Sequence, residues 1–438
     1  MRDTRYIVEY TLKIRSTGPL TIGDGENEIL RDAYSRKPQL PATGIAGGFR
    51  NYLTVNKKNS ENELKRLFGA ADGSKSRLFF GDGEYIGGRD WTERRDRVRM
   101  DGVTGTAAMG GKFKVNSLEA GQEFRVVFRL DVANEEEKEQ YSEWLEEAFR
   151  ALNEGIIRLG AQKTNGEGGF KIIAAERMEY DFQNTEDLKK YLLREENHRE
   201  DILKELQKPL KGSKVAVFEI DAETVTPLLI AGVSARKKER ADKEPMENGN
   251  GDYIVPGSSF KGVLRMQCEK IAEYLGLPKT TVEDIFGSSA DAARNHEDCR
   301  AGKLYVEDAT IQDVKANVTY NRIAVDKFTA GVRMGGKFDA LPLEGKFRIH
   351  LSLMGGEEHR EAHIGLLLLA LRDIFSERVA MGSGNNIGYG RIRGEKISLQ
   401  DGEMHRDIPM GNPGNSEMEE YIKVLLAERQ EIQEKCNE

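Results

Sequence analysis

The sequence is short of the residues that build disulfide scaffolds and membrane spans. It has 3 cysteines among 438 residues, too few for a disulfide framework, so a reducing, cytoplasmic location fits best. No apolar run approaches the roughly 20 residues that cross a bilayer. The N-terminal stretch MRDTRYIVEYTLKI has no apolar signal core. We therefore expect neither export nor a membrane partner.

Histidine is also scarce, and the 66 Lys and Arg residues are outnumbered by 74 Asp and Glu residues. The 6 histidines are scattered and give no sign of a histidine-based acid–base pair. His296 and Cys299 have a spacing seen in zinc sites, but no second Cys/His pair follows nearby, so we do not expect a structural zinc. The net charge of −8 argues against indiscriminate binding of polyanions, although a local basic groove on an acidic body stays open.

Glycine is abundant, at 46 residues, and its clusters mark an internal repeat. RVRMDGVTGTAAMGGKF at 97–113 aligns without a gap with RIAVDKFTAGVRMGGKF at 322–338. Further pairs follow in the same order: GPLTIG with TPLLIAG, LFGAADGS with IFGSSADA, and the glycine-rich LGAQKTNGEGGFKI with MGSGNNIGYGRI. The chain is therefore interpreted as a tandem duplication.

The repeats predict four parts. We place a first domain at 1–178, a helical linker at 179–213, a second domain at 214–400 and a C-terminal loop and helix at 401–438. Within each repeat, segments with strand alternation are mixed with segments of helical periodicity. Antiparallel-looking returns between them favour an α+β ferredoxin-like unit with long insertions.

A helix start in the second repeat has the composition of a phosphate site. VPGSSFKGVLR places Ser258 or Ser259 as a natural N-cap, with Lys261 and Arg265 close to the helix N-terminus. First-turn N–H groups, the positive end of the helix dipole and two cations together favour an anion. The alternative is a well-capped helix with solvated basic residues. In the first repeat, LPATGIAGGFR puts Ala46 where the lysine stands.

The glycine-rich stretch that closes each repeat permits another chain to approach the backbone closely. An ordinary tight turn is the alternative. The Gly-Lys-Ser/Thr ending of a nucleotide-binding cradle is absent, which disfavours nucleotide hydrolysis. Two such elements in each repeat suggest an extended nucleic-acid strand running along both domains.

The ordered set of these motifs resembles the RAMP superfamily, and more narrowly the backbone subunits of type III CRISPR effector complexes. The tandem arrangement resembles a fused backbone protein of a type III-D-like system. The resemblance implies two modified ferredoxin-like (RRM-like) domains, each with an inserted β-hairpin thumb that displaces one base. It also implies three partners: CRISPR RNA, target single-stranded RNA and other type III effector subunits.

The resemblance further implies which residues contact RNA. Met109 and Met334, at matching positions of the two thumbs, would wedge against unstacked bases, although a methionine in a hairpin is more often part of a core. The full expected set is Arg50, Thr43, Gly44, Gly257, Ser258, Ser259, Lys261, Arg265, Arg97, Met109, Lys112, Arg322, Met334, Lys337, Gly166, Gly168, Gly384, Gly388 and Gly390.

Relatives of this type resemble metal-dependent endoribonucleases that cut target RNA, with a catalytic Asp on the loop before the PGSS helix. Asp242, followed by Lys-Glu-Pro, matches that position apart from one extra residue and would bind Mg²⁺ or another divalent cation. In the first repeat Glu26 takes this place, with Asp32 nearby and Asp24 or Glu28 as substitutes. Because glutamate moves the carboxylate by one methylene, we expect that site to be slow or inactive.

Two other interpretations compete with this one. The chain would then be a purely structural RNA-binding backbone whose partners do the chemistry, or a stand-alone endoribonuclease that processes CRISPR RNA. The scattered histidines weigh against the second alternative.

Overall fold

The computed structural model describes residues 4–23, 28–57, 60–70, 73, 75–88, 90, 92–100, 107–210, 215–232, 241–288, 299–315, 318–355, 359–410 and 416–437. The chain divides into two compact units. The first comprises Met1–Glu93, Asn116–Lys163 and Glu167–Leu210, and the second comprises Arg94–Val115, Thr164–Gly166 and Lys211–Glu438. Two short segments of the first repeat thus belong to the second unit.

The first repeat is built around an antiparallel sheet whose strand order is β2-β6-β1-β7-β8, with β3 also paired to β6. Strands β4 and β5 form a separate hairpin. The elements are β1 (Tyr6–Ser16), α1 (Ala42–Asn56), α2 (Glu61–Phe68), β2 (Leu78–Phe80), β3 (Glu84–Gly87), β4 (Thr92–Met100), β5 (Ala107–Leu118), β6 (Glu123–Val132), α3 (Glu135–Asn153), β7 (Phe170–Asp181), α4 (Thr185–Leu193), β8 (Arg199–Asp201) and α5 (Leu203–Leu206).

The second repeat has the same plan. Its sheet order is β11-β16-β9-β18-β19, β13 pairs with β16, β17 pairs with β9, and β14 and β15 form the hairpin. The elements are β9 (Ala216–Thr224), β10 (Ile254–Val255), α6 (Gly257–Leu275), α7 (Lys279–Phe286), β11 (Leu304–Val306), β12 (Ala309–Thr310), β13 (Gln312–Lys315), β14 (Tyr320–Val325), β15 (Val332–Ala340), β16 (Glu344–Leu353), α8 (Arg360–Phe375), β17 (Ile392–Gly394), β18 (Lys396–Asp401), β19 (Met404–Pro409) and α9 (Ser416–Asn437).

The duplication extends to single backbone hydrogen bonds. Gly168 N–H donates to Pro19 O in the first repeat, and Gly390 N–H donates to Pro227 O in the second, each at 2.9 Å. Each central strand, β1 or β9, pairs antiparallel with the strand on either side. The α+β class and the tandem repeat are confirmed.

Each sheet buries one face beneath its own helices. In the first repeat, aromatic rings fill this layer, with the Phe128 and Phe149 centroids 4.9 Å apart and Phe49 beside them. In the second, α8 is buried on most sides and packs against α6 and α9. Close packing with α9 requires Gly365, whose substitution by a larger residue would place a Cβ 2.6 Å from Tyr421 O.

Two segments differ from the sequence prediction. The 179–213 segment is only partly helical, because β8 lies between α4 and α5 and pairs with β7. An ion pair of 2.6 Å between Arg199 and Glu176 joins these strands. Part of the expected C-terminal loop forms β19, which pairs with β18 through contacts that include Lys396 and Asp407 at 2.5 Å, and residues 411–415 of that loop lie outside the described residues. Among the helices that the structure describes, none is long and apolar enough to cross a membrane.

Candidate nucleic-acid interface

The turn of the second hairpin is organised by Asp326. Its Oδ1 accepts the backbone N–H groups of Phe328 and Thr329, both at 3.0 Å, and the Thr329 hydroxyl at 3.2 Å. The backbone hydrogen bonds hold the pKa of Asp326 below its usual range. Ala330, the next residue, has a φ of 54°. In the second repeat, the Asp-x-x-Thr part of the motif therefore forms the hairpin tip.

The same hairpin displays apolar side chains to solvent. The exposed large residues on it include Ile323, Val325, Phe328, Val332 and Met334, with Phe328 85% and Met334 102% exposed. A two-stranded ribbon without a covering layer is only marginally stable, so an exposed apolar row of this kind indicates a binding surface.

The two expected wedge residues have the same environment. Met334 is 102% exposed and its counterpart Met109 is 99% exposed. Neither contributes to a core, so the core alternative for these methionines does not hold. Lys112 and Lys337, three residues further along each strand, are also exposed.

The structure brings Asp242 to the base of this hairpin. Oδ2 of Asp242 accepts the backbone N–H of Asp339 at 2.9 Å. Lys243 N–H donates to Asp339 O at 3.1 Å, and Leu341 N–H donates to Lys243 O at 3.0 Å. The loop thus adds a short parallel pairing beside β15. Backbone hydrogen bonds therefore connect the loop of the expected catalytic residue to the strand of the hairpin that is expected to displace a base.

A second carboxylate side chain belongs to this contact, because the backbone N–H that binds Asp242 is that of Asp339. Oδ1 of Asp339 is buried and has no hydrogen-bond partner in the described structure, and Asp242 is exposed. Carboxylate oxygens are ligands that Mg²⁺ prefers. No group of three His, Cys, Asp or Glu side chains suited to a metal occurs in the part of the chain that the structure describes. Asp242 and Asp339 are therefore two carboxylate residues at one backbone contact, without the third side chain of a complete metal site among the described residues.

The loop before α1 makes a backbone contact that corresponds to one in the loop before α6. Leu30 N–H donates to Ile22 O at 2.8 Å, and Met246 N–H donates to Ile230 O at 2.9 Å. Glu26 precedes Leu30 by the same number of residues as the second-repeat aspartate precedes Met246. Glu26 itself lies outside the described residues.

Asp32, the second acidic candidate of the first repeat, holds a turn. Its Oδ1 accepts the backbone N–H groups of Tyr34 and Ser35, at 3.2 and 2.7 Å. These bonds, led by the Ser35 N–H, lower the pKa of Asp32. Its described contacts are those of an Asx turn. They account for the residue without a reacting phosphate.

The second-repeat helix starts differently from the sequence prediction. Its N-cap is Pro256, with an extended ψ of 133°, and Ser258 and Ser259 lie inside the first turn. The cap is supplied from a distant strand end, because Oδ1 of Asp308 accepts Gly257 N–H at 2.8 Å. The predicted serine N-cap is therefore wrong.

Lys261 is 8% exposed and points into protein. Its Nζ donates to Thr164 O at 3.3 Å and to Leu304 O at 3.2 Å. Burial lowers the pKa of Lys261 to about 7, and the nearby Arg265 adds to this effect. Arg265 itself donates to Glu269 at 2.8 Å. A phosphate contact at Lys261 or Arg265 stays a prediction.

In the glycine-rich loop that closes each repeat, packing against the protein's own backbone requires glycine. A Cβ at Gly168 would lie 2.0 Å from Leu159 O, and one at Gly390 would lie 1.9 Å from Met381 O. The protein backbone, without any RNA, thus requires glycine at both positions. Gly384 has a φ of 85°, a conformation that favours glycine as well.

The remaining residues expected to contact RNA differ in exposure between the two repeats. Arg97 is 9% exposed and Gly166 is buried, whereas their counterparts Arg322 and Gly388 are more open. The Arg322 guanidinium lies 4.8 Å from the ring centre of Tyr389 and donates a hydrogen bond to its hydroxyl. In the first repeat, Thr43 and Gly44 are exposed on the first turn of α1, and Arg50 is exposed about two turns further along it.

Two acidic residues were missed by the sequence reasoning. Asp308 caps α6, and Asp82 does the same for α1, with Oδ1 accepting Ala42 N–H at 2.6 Å. The sequence did contain a signal for them. In each repeat an aspartate follows a strand-like segment, LFFGD in the first and LYVED in the second. Asp339 had no such signal, since Lys114 holds its position in the first repeat.

The RAMP superfamily model matches residues 13–171 and 221–393, one match in each repeat. Together the matches cover more than half of the chain, so this protein belongs to the RAMP superfamily. Membership indicates a CRISPR-associated RNA-binding protein. No curated protein matches the sequence.

Proposed function

We propose that this protein is an RNA-binding backbone subunit of a type III CRISPR effector complex and that CRISPR RNA runs along both repeats. The observation that supports this function best is the full exposure of Met109 and Met334 at the same position of two hairpins. A flexible thioether held in solvent has no role in a core, but it can pack against the face of an unstacked base.

The chemistry around the second wedge suits a polynucleotide. Arg333 and Lys337 are exposed on the strand that carries Met334, and Phe328 lies at the tip. Cations that contact phosphates position a nucleic acid, and apolar or aromatic groups contact its bases. The same strand of the first hairpin has Lys112 in the position of Lys337.

Cleavage of guide-complementary target RNA is assigned to the second repeat, with Asp242 as the catalytic residue. The Asp339 N–H fixes one oxygen of Asp242 beside the hairpin, where a displaced nucleotide would expose its 2′-hydroxyl. Asp242 and Asp339 would hold Mg²⁺ or another divalent cation, which supplies Lewis-acid stabilisation of the reacting phosphate when bound. In the first repeat Lys114 replaces Asp339, so we expect one active position.

A backbone without catalysis is the second candidate. It is favoured by one observation, that the described residues contain no group of three potential metal-binding side chains. The cleavage measurement that ends the Discussion separates these two candidates.

The RNA-binding function is tested by isolating the protein from its native host and sequencing the RNA that copurifies. We expect short RNAs of one length class that combine a CRISPR repeat segment with spacer sequence. Absence of RNA, or a random sample of cellular RNA, would contradict the proposal. Because the isolated chain has a net charge of −8, the complex is the correct material for this measurement.

A further inference from the structure

Two turns of this chain have the same backbone hydrogen bonds, although they lie in different elements of the two repeats. One turn joins β14 to β15 at the tip of the second hairpin and is closed by Asp326. The other lies between β1 and α1 of the first repeat and is closed by Asp32. The duplication pairs Asp326 with Asp101, so it does not explain why these two turns are alike.

The two turns agree in every hydrogen bond that closes them. The aspartate Oδ1 accepts the N–H groups of the second and third residues after it, and the aspartate O accepts that of the fourth. The aspartate N–H donates to the O of the fifth residue. These bonds are 2.7–3.2 Å long, and the fourth residue has a φ of 58° in one turn and 54° in the other. The residues are Asp32, Tyr34, Ser35, Arg36 and Lys37 in the first repeat and Asp326, Phe328, Thr329, Ala330 and Gly331 in the second.

Each turn exposes an aromatic side chain at its third position. Tyr34 is 98% exposed and Phe328 is 85% exposed. Because hydrogen bonds already fix the backbone beneath each ring, little further ordering is needed when the ring meets a partner. The turn therefore holds an aromatic ring in a defined place outside the fold. We call residues 32–37 the Tyr34 turn.

The aromatic turn occupies different places in the two repeats. The tip of the first hairpin, residues 101–106, lies outside the described residues, and its sequence DGVTGT contains no aromatic residue. The loop before α6 also forms a turn, in which Asn248 Oδ1 accepts Asn250 N–H at 2.9 Å, but its sequence is NGNGD. The aromatic residue thus stands before the helix in the first repeat and on the hairpin in the second.

The charged side chains beside Tyr34 suit a polyanion. Arg36 and Lys37 are exposed, and neither pairs with a carboxylate among the described residues. The carboxylate of Asp32 is engaged by backbone N–H groups of the turn. Proteins that bind single-stranded nucleic acids combine cations that contact phosphates with aromatic rings that stack on bases. Both kinds of group are present within this short turn.

We propose that Tyr34 stacks on an unpaired base of RNA, with Arg36 and Lys37 contacting the adjoining phosphates. The chain contains a precedent, because the same turn supports Phe328 at the tip of a hairpin that is proposed above to contact RNA. The Tyr34 turn lies outside both hairpins and both glycine-rich loops, so this contact is an additional one. The inference rests on the proposed RNA-binding function. A base of the guide and a base of the target offer the ring the same chemistry, and the experiment distinguishes them.

Ultraviolet crosslinking of the native complex tests the contact. The complex is irradiated with and without an added guide-complementary RNA, and mass spectrometry of the digested protein should find a nucleotide attached to Tyr34. A crosslink present before the addition identifies the guide, and one that forms only after it identifies the target. A complex that binds RNA without a crosslink at Tyr34 overturns the proposal. A complex that holds no RNA contradicts the proposed function, and this contact falls with it.

Variants of the native complex separate the ring from the turn that holds it. Tyr34→Ala should lower the affinity for the crosslinked strand about tenfold, and Tyr34→Trp should retain it. Asp32→Asn keeps the acceptor oxygen and should bind like wild type, whereas Asp32→Ala loses the turn and should weaken binding. Tyr274→Ala, at a tyrosine 88% exposed on α6, is the matched control.

Filter binding measures the affinity for an added target, and exchange against labelled guide measures it for the bound strand. Equal affinity in wild type and Tyr34→Ala contradicts the proposal. Loss of a protein subunit from the Tyr34→Ala complex with RNA binding unchanged also contradicts it, because the turn would then contact protein.

Discussion

The backbone N–H of Asp339 donates a hydrogen bond of 2.9 Å to Oδ2 of Asp242. This bond ties the loop that carries the expected catalytic carboxylate to the base of the hairpin that carries Met334. Cleavage and base displacement are therefore expected at one place on the second repeat. The first repeat carries Lys114 where Asp339 stands, so the two positions differ in charge.

We predict that Met109→Ala and Met334→Ala act on RNA and leave stability nearly unchanged. Both side chains are fully exposed, and surface substitutions of this kind stay within about 0.5 kcal/mol. Chemical probing of the bound guide should lose the reactivity of the unstacked nucleotide at the substituted position. Met404→Ala, at a methionine 51% exposed on β19, is the matched control. Unaltered probing in both wedge variants would exclude the wedge role.

The buried Lys261 predicts a pH-dependent stability. Its pKa in the folded protein is about 7, below the value of about 10.4 in an unfolded chain. Between these pH values the unfolded chain binds more protons, so the stability contributed by this group rises with pH. Relative to Lys261→Met, the wild-type free energy of unfolding should gain about 1 kcal/mol per pH unit from pH 7.5 to 9.5.

Urea denaturation of the two proteins at several pH values measures this difference. The exposed Lys337→Met variant is the control, and it should follow the wild-type curve in parallel. A difference between wild type and Lys261→Met that stays constant with pH would show that the lysine is not buried as an ionisable group.

Comparing variants of Asp308 and Asp82 separates the stability contributed by a helix cap from that contributed by an ion pair. Asp82→Ala removes a helix cap, which costs about 1 kcal/mol. Asp308→Ala removes the equivalent cap and also the ion pair with the buried Arg95, so its loss should exceed that of Asp82→Ala. Denaturant unfolding of both variants measures the difference. Equal losses would mean that the Arg95 pair contributes nothing.

Two glycines of the loop that closes the second repeat, Gly388 and Gly390, should differ in how well they tolerate substitution by alanine. Gly390→Ala places a Cβ 1.9 Å from Met381 O and should prevent the loop from docking, a loss of about 3 kcal/mol or more. Gly388 has a similar φ of 90° but open space around it, so Gly388→Ala should cost only about 1 kcal/mol. Thermal unfolding measures both. A Gly390→Ala variant as stable as Gly388→Ala would refute the close backbone approach.

The tandem fold was predictable because its signals are local. Strand alternation, helical periodicity and five matching motifs in one order all lie in short windows of sequence. The hairpins were recognised from the repeat of MGGKF, although the exposure of Met109 and Met334 could not be told from a core position.

The features that could not be predicted from the sequence depend on contacts between residues that are far apart in the chain. Lys261 has the neighbours of a phosphate-binding lysine, yet its hydrogen-bond acceptors lie 97 and 43 residues away in the chain. The cap of α6 comes from Asp308, 51 residues beyond Gly257. The prediction of a serine N-cap was wrong for the same reason. The carboxylate of Asp308, which is distant in sequence, accepts the first backbone N–H of the helix.

The most direct test of the account is cleavage of a labelled, guide-complementary RNA by the native complex in the presence of Mg²⁺. We compare wild type with Asp242→Asn, with Asp339→Asn, and with the control Asp313→Asn, an exposed carboxylate of the same repeat. The account predicts that Asp242→Asn abolishes the cut assigned to the second repeat while RNA stays bound. It predicts that Asp339→Asn slows the cut and that Asp313→Asn leaves it unchanged. An unaltered cleavage pattern in the Asp242→Asn complex would contradict the assignment.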